Sequence, residues 1–276
     1  MLGERLTRDV SARGVRMRVL EQGDGPAVVL VHDFLASHTS FDDVVGPLAQ
    51  RFRVVVPDLP GFGGSEKPSP TRYAYGIEAF AEALADLVAA LGLGRARVVG
   101  HAMGGAAALT LAALHPELVD RLVLVDPLVY PFPLDARTRL ALLPGLGGVL
   151  FKQMLGRAGF HAWMRDRCAG PAYQPSADRL DALYEGFHTP AARESAFAVL
   201  HAIVDTRAVV ARISRVRAPT LIVWGREDRA LPVRDGQRLA RAIAGARLEL
   251  LESGHAPHEE QPEAFLATVS DFLGGA

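Results

Sequence analysis

The chain has 276 residues, a length that suits one large α/β domain carrying an insertion, and 49% of them are hydrophobic, enough to bury a sizeable core. A formal net charge of −1 with interspersed signs and no basic block excludes a nucleic-acid partner, and the single cysteine, Cys168, excludes a disulfide framework and a cysteine-based zinc site. Met1 to Val10 carries Glu4, Arg5, Arg8 and Asp9 without an apolar signal region, and no run of about 18 apolar residues follows, so a soluble, cytoplasmic protein with no membrane partner is expected.

Val15 to Leu20 alternates apolar and polar residues and predicts a strand, with a turn at Gly23-Asp24-Gly25-Pro26. Ala27 to Val31 is continuously apolar, the pattern of a central parallel strand covered on both faces, and it runs into His32-Asp33-Phe34-Leu35. A helix is expected over Ser40 to Ala49, with Ser40 and Asp43 as its capping pair, and a second buried strand over Phe52 to Val56, ending at Pro57-Asp58. The stretch from Leu59 to Ser65 is too rich in glycine to be anything but a loop, and Ile77 to Leu91 has helical spacing closed by Gly92. Ala96 to Val99 predicts a strand, Ala106 to Leu114 a helix, and Val119 to Val125 a strand ending at Asp126-Pro127.

From Leu128 to Ser214 the strand–helix rhythm stops. Amphipathic stretches at Arg137 to Leu143, Val149 to Leu155, Ala177 to Tyr184 and Ala191 to Val209 predict a helical insertion. The rhythm then resumes with a strand over Pro219 to Trp224, a turn at Gly225-Arg226-Glu227-Asp228, a helix over Val233 to Ile243, a strand over Arg247 to Leu251 and a helix over Pro262 to Leu273. These alternations predict a doubly wound, mostly parallel sheet of about eight strands, with a core of residues 1–127 and 215–276 and a cap of residues 128–214.

Between the strand at Ala96 to Val99 and its following helix lies Gly100-His101-Ala102-Met103-Gly104. A strand, a sharp turn and a helix in so few residues need glycines at both flanks, because a Cβ there would strike the neighbouring elements, and they push residue 102 outward. The segment resembles the nucleophile elbow of the α/β-hydrolase fold family, in its capped serine-hydrolase branch of esterases and C–C hydrolases, whose pattern is Gly-x-Ser-x-Gly. Here the centre is Ala102, which has neither lone pair nor ionisable proton. The family's order of nucleophile, acid and base is matched by Ala102, Asp228 and His255, so the resemblance implies His255 as general base and Asp228 as the carboxylate that orients it. His258 is the rival base; His255 is preferred because it follows Gly254 directly at the strand end.

The resemblance also implies an oxyanion hole built from the backbone N–H groups of Phe34 and Met103. Where the family usually has His-Gly, this chain has His32-Asp33, and an ionised carboxylate close by would repel a developing anion. Asp33 is read as a residue that points away and caps the loop, with a role in substrate binding, alongside His32 and Trp163, as the alternative. Phe132, Phe160, Trp163, Tyr184 and Phe187 are available to line an apolar pocket, most of them as cap core; Arg165, Arg167, His161, His188 and His201 are available to meet a polar substrate group but more commonly face water. No metal-ligand cluster, dinucleotide fingerprint or P-loop is present, so no cofactor and no metal are implied, and the expected partner is a small-molecule substrate.

Three accounts of Ala102 follow. It replaces a serine in an enzyme that cleaves a small, largely apolar ester, lactone or activated C–C substrate, leaving an inactivated variant. It replaces an aspartate, as in the epoxide hydrolase and haloalkane dehalogenase branches, although those branches tend to have proline at the place of Leu35. Or the chain is a natural non-catalytic member that binds a small molecule. On the first account Ala102→Ser restores ester hydrolysis, with a rate that rises as His255 loses its proton at roughly pH 6 to 7.

Overall fold

A computed structural model describes residues 4–275 except 133, 155, 169, 171 and 172; Pro133 and the expected helix end at Leu155 lie outside these, as do the side chains of Arg167 and Cys168. The strands are β1 (Leu6–Ala12), β2 (Val15–Gln22), β3 (Ala27–Val31), β4 (Arg53–Pro57), β5 (Ala96–His101), β6 (Val119–Val125), β7 (Thr220–Gly225) and β8 (Arg247–Leu251). They form one sheet in the order β1-β2-β4-β3-β5-β6-β7-β8. The first two pairings, β1 with β2 and β2 with β4, are antiparallel and the other five are parallel. This is the doubly wound, mostly parallel eight-stranded sheet of the α/β-hydrolase fold that the sequence predicts.

The parity of the central strands divides the interior in two. Val29, Val31, Val98, Leu122, Leu124, Ile222 and Trp224 point into one core, with α2 (Ile77–Ala90) and α3 (Ala102–Leu114). Their neighbours Val28, Leu30, Val99, Val123, Val125, Leu221 and Val223 point into the other, against Val44, Val45 and Leu48 and against Phe265, Val269 and Phe272. The first of these groups lies on α1 (Asp42–Leu48) and the second on α12 (Pro262–Gly274). Because successive side chains on a strand alternate faces, only an unbroken apolar run fills both cores, and these runs are what the sequence shows.

Between β6 and β7 the described residues form helices and no strand: α4 (Ala136–Ala141), α5 (Gly147–Met154), α6 (Arg157–Cys168), α7 (Ala177–Phe187), α8 (Pro190–Ile203) and α9 (Arg207–Val210). After β7 come α10 (Val233–Ala242) and the single turn α11 (Pro257–Glu260). Three local readings differ from the expectation. β1 escapes the pattern because it is an edge strand whose residues are mostly exposed, so it has no apolar face to declare. The helix expected from Ser40 is a 3-10 turn over His38–Phe41 followed by α1, and the capping side chain is Ser37, whose hydroxyl accepts from the Thr39 N–H, while Ser40 donates to the Ser37 carbonyl. The helix expected across Ala191 to Val209 breaks into α8 and α9, where the Asp205 carboxylate takes the Arg207 N–H and starts a new turn.

At the β5–α3 junction Ala102 has φ 45°, a left-handed conformation that costs an L-residue on the order of 1–3 kcal/mol. The strain persists because its surroundings leave no alternative. A Cβ on Gly100 would lie 2.4 Å from the Gly104 carbonyl oxygen, and one on Gly104 would lie 2.4 Å from the carbonyl oxygens of Val31 and His32. The close approach of α3 to β3 and β5 therefore requires both glycines.

We predict that Gly104→Ala lowers the free energy of unfolding by about 2–3 kcal/mol, since the clash is with backbone that cannot yield. Gly46→Ala, in α1 with nothing within 4 Å of its added Cβ, is expected to raise it by about 0.5–1 kcal/mol. Urea denaturation midpoints of the two variants against the parent check both signs; equal midpoints for parent and Gly104→Ala would mean that the junction is looser than described.

Candidate active site

Five adjacent parallel strands deliver their carboxyl ends to one place: β3 to Asp33 and Phe34, β5 to Ala102, β6 to Asp126, β7 to the turn that bears Asp228, and β8 to the loop that bears His255. His255 lies at the centre, 3% exposed. Its Nδ1 is 2.9 Å from Asp228 Oδ2, while Asp228 Oδ1 accepts the backbone N–H groups of Ala230 at 2.7 Å and Leu231 at 2.9 Å. Those two donors fix the carboxylate and, through it, the ring. With Nδ1 donating to Asp228, Nε2 is the nitrogen turned to the cavity side.

On that side stands Asp33, and not as a loop cap pointing away. Its Oδ1 accepts the Met103 N–H at 3.0 Å, and its Oδ2 lies 3.6 Å from His255 Nε2. The carboxylate thus occupies the N–H group that the sequence reading assigned to an oxyanion. Ala102, 2% exposed, lines the same cavity and offers only its methyl.

The electrostatics follow from this sandwich. Burial alone would strip the proton from His255, but the carboxylates of Asp228 and Asp33 outweigh it and hold the imidazole well above the ordinary histidine range. Burial raises Asp228, and the paired His255 ring with the two N–H donors brings it below the usual carboxylate value. Asp33 follows the same logic: burial pushes it up, and His255, His101 and the Met103 N–H bring it down. At neutral pH the site is therefore an imidazolium between two carboxylates, so the loss of the His255 proton lies above the pH 6 to 7 expected from sequence.

Three supporting residues, Asp126 among them at its strand end, had no role assigned from the sequence. Asp126, φ 42°, is fully buried, and its Oδ1 accepts the Gly225 N–H at 2.9 Å. Burial, and then the adjacent Asp228 charge, raise it well above the carboxylate range, so it is a neutral acid beside an ionised one. His101 donates from Nε2 to the His255 carbonyl at 2.7 Å, and burial lowers its pKa to about 4, which keeps it neutral. Glu260 clamps the base loop: its carboxylate accepts the N–H groups of Gly254 at 2.7 Å, Ala256 at 3.2 Å and, from the insertion, Gly170 at 3.2 Å. A carboxylate five residues after the presumed base in a turn-and-helix context was the available signal for Glu260.

Other expectations are redistributed. His32 is fully buried with both ring nitrogens committed, Nδ1 donating to the Asp33 carbonyl at 2.7 Å and Nε2 accepting the Leu59 N–H at 2.9 Å, so it braces the loop and does not meet substrate. Asp58 likewise ties its own loop, accepting from His38 N–H and Gly64 N–H. His258 is fully buried, stacked on Phe41 with centroids 4.6 Å apart, and is core rather than base. Phe34, Leu128, Phe132, Thr138, Trp163, Leu200, Ile203 and Leu231 enclose a cavity of about 80 Å³ over Ala102, Asp33 and His255. Phe160, Tyr184 and Phe187 pack on one another inside the insertion, with Phe160 and Phe187 stacked at 5.5 Å. His161, His188, His201 and Arg165 do not line the cavity. A larger cleft of about 270 Å³ lies along Gly61 to Gly64 and Leu183 to Phe187, but neither Asp33 nor His255 reaches it.

Ligand atoms of Asp33, His101 and His255, and separately of Asp126, Asp228 and His255, lie within 4.8 Å of one another. No helix among the described residues is long and apolar enough to cross a membrane.

Comparison with known proteins agrees with this architecture. The family model described as alpha/beta hydrolase fold matches residues 26–262. The chain belongs to the α/β-hydrolase fold family. It is 30% identical over 275 residues to a 2-hydroxymuconate semialdehyde hydrolase of Pseudomonas putida, covering 98% of this chain and 94% of that protein. An uncharacterised protein of Mycobacterium tuberculosis is 32% identical over 274 residues, 95% of this chain and 80% of that one. Among solved structures, a serine hydrolase involved in carbazole degradation superposes with a TM-score of 0.81 at 25% identity, over 99% of this chain and all of the other. The relatives named as hydrolases bear on function; the structural likeness bears on the fold.

The neutral Asp126 predicts a pH effect of definite sign. Unfolded, it ionises near pH 4; folded, it stays protonated, so stability declines as pH rises from about 4 toward its raised value, by up to about 1.4 kcal/mol per unit. Asp126→Asn keeps an acceptor for the Gly225 N–H and removes the proton. Its stability relative to the parent is expected to grow between pH 4 and 7 in denaturant titrations, and a difference that is flat with pH would mean that Asp126 is ionised.

Proposed function

We propose that the chain is a hydrolase of a small, largely apolar substrate, with His255 and Asp228 as the acid–base pair and with no covalent serine route. The observation that carries this reading is the His255 ring held 2.9 Å from Asp228, with Nε2 on the side of a cavity enclosed by apolar side chains. Its relatives include a hydrolase of an activated C–C substrate, which supports hydrolysis as the reaction class. An ester, lactone or activated C–C substrate needs a nucleophile at the elbow and an open oxyanion N–H; Ala102 removes the first, and the Asp33 carboxylate occupies the second. A lone serine-to-alanine change accounts for only half of that, so the site reads as organised around Asp33 and not as a serine enzyme missing one atom. An intact buried ion pair, braced by Glu260, also weighs against a member that only binds.

Hydrolysis of a panel of p-nitrophenyl esters, a lactone and aryl epoxides by the full chain tests the reading, with His255→Ala expected to lose at least about 10³-fold. Binding of these compounds without turnover of any would favour the non-catalytic alternative. For p-nitrophenyl butyrate, Ala102→Ser alone is expected to gain little, because Asp33 still holds the Met103 N–H. The double variant Ala102→Ser with Asp33→Gly is expected to exceed it by about 10²-fold, the worth of one oxyanion donor. Equal activity of the single and double variants would show that Asp33 does not block that donor.

A further inference from the structure

At the elbow, where this chain has no hydroxyl, donors of another kind come together. One ligand atom from each of Asp33, His101 and His255 lies within 4.8 Å of the other two. In both histidines one ring nitrogen is fixed by an acceptor and the other is left to the cluster. His255 donates from Nδ1 to Asp228 at 2.9 Å, and its Nε2 faces Asp33 Oδ2 at 3.6 Å. His101 donates from Nε2 to the His255 carbonyl at 2.7 Å, so its lone pair sits on Nδ1, which is buried and has no hydrogen-bond partner among the described residues. Asp33 is held from behind as well, through Oδ1 and the Met103 N–H. An imidazole braced on one nitrogen by a carboxylate or a carbonyl, with the other nitrogen turned inward, is how metal-binding histidines are oriented.

We propose that Asp33 Oδ2, His101 Nδ1 and His255 Nε2 form a site for one divalent cation of the zinc class, which takes the place of the proton on His255. Distance decides the class. Zinc bonds of about 2.0–2.2 Å to Oδ2 and Nε2 span their 3.6 Å at an angle of about 120°, which suits a tetrahedral ion, whereas an octahedral ion such as magnesium needs neighbouring ligands about 3 Å apart. The His101 nitrogen must close from within 4.8 Å to about 3.3 Å of the others, the ligand spacing of a tetrahedral ion. Two imidazoles and one carboxylate also match zinc better than magnesium or calcium, which take oxygen ligands.

Charge points the same way. Asp228 and Asp33 put two carboxylates on one ring, and a divalent cation balances both where a proton balances one. The Ala102 methyl has no hydroxyl with which to hold Nε2, and the fourth position falls to water on the side of the cavity. The second cluster, Asp126, Asp228 and His255, would have to engage His255 through Nδ1, which already donates to Asp228, so the cation belongs to the first. This goes beyond the hydrolase reading and adds a control on the same site, because His255 Nε2 cannot hold the cation and move a proton at once. The loaded chain is the resting form, and removal of the cation releases the base.

The test is a titration of the full chain, stripped with EDTA and dialysed, with Zn²⁺ by calorimetry and with Co²⁺ by visible absorption. One equivalent is expected, with the absorption of four-coordinate cobalt. Asp33→Ala and His101→Phe are each expected to weaken binding by at least about 100-fold, and Asp228→Asn, which acts only through the ring it orients, by about 10- to 100-fold. His188→Ala, exposed on the insertion, is expected to bind like the parent. Unfolding midpoints of the stripped variants separate loss of a ligand from loss of the fold, and anomalous scattering from a zinc-soaked crystal of the parent reads the site without any substitution. Parental affinity in both Asp33→Ala and His101→Phe, or a zinc peak away from these three side chains, overturns the inference. Where the stripped chain cleaves p-nitrophenyl butyrate, one equivalent of zinc is expected to stop it and EDTA to restore it. Undiminished cleavage at full occupancy overturns the inference and leaves the hydrolase reading standing. One equivalent bound at these side chains, with no substrate cleaved by the stripped chain, supports the cation site and counts against the hydrolase reading.

Discussion

The contact of α3 with β3 and β5, too close for a Cβ at Gly100 or Gly104, is the constraint on which the site depends. It forces Ala102 into a left-handed turn and carries the Met103 N–H over the strand ends, where the carboxylate of Asp33 meets it. A similar contact occurs two strands away. A Cβ on Gly225 would lie 1.8 Å from the Gly254 carbonyl oxygen, so the β7 turn and the base loop are pressed together as the elbow is, and the distance from Asp228 to His255 is set by backbone and not by side-chain reach. Bare backbone at these junctions is what makes the side-chain geometry rigid.

On that frame the charges form a balanced set. One imidazolium is shared by two carboxylates, and a third acid, Asp126, keeps its proton because ionising it beside Asp228 would place two like charges in the same buried space. His101 and His258 stay neutral, so neither adds a positive charge next to His255. Removing any one member changes the proton affinity of the rest, which is why the site responds as a unit.

Much of the fold was legible because its signals are local. Each central strand had to be apolar on both faces, and the glycines of the elbow answer to a steric rule that can be read from five residues. The positions of Asp228 and His255 follow from the same strand ends, and the structure brings them to 2.9 Å of each other. What was not legible was direction. Asp33 follows β3 directly, and whether its side chain points out to cap a loop or in toward His255 depends on where α3 has already placed the Met103 N–H, 70 residues further along the chain. The protonation of Asp126 was equally hidden, since it arises from proximity to Asp228, 102 positions away in sequence (228 − 126). β1 was missed for the opposite reason: an exposed edge strand carries no pattern that burial would impose.

Glu260 gives the insertion a mechanical connection to the base. The same carboxylate receives the amide of Gly170 from the insertion and the amides of Gly254 and Ala256 on either side of His255. Two of its three backbone donors therefore come from the loop that carries His255 and the third from the insertion. The insertion and the segment that holds the imidazole are thus tied through one side chain, and a substitution at Glu260 would loosen both at once.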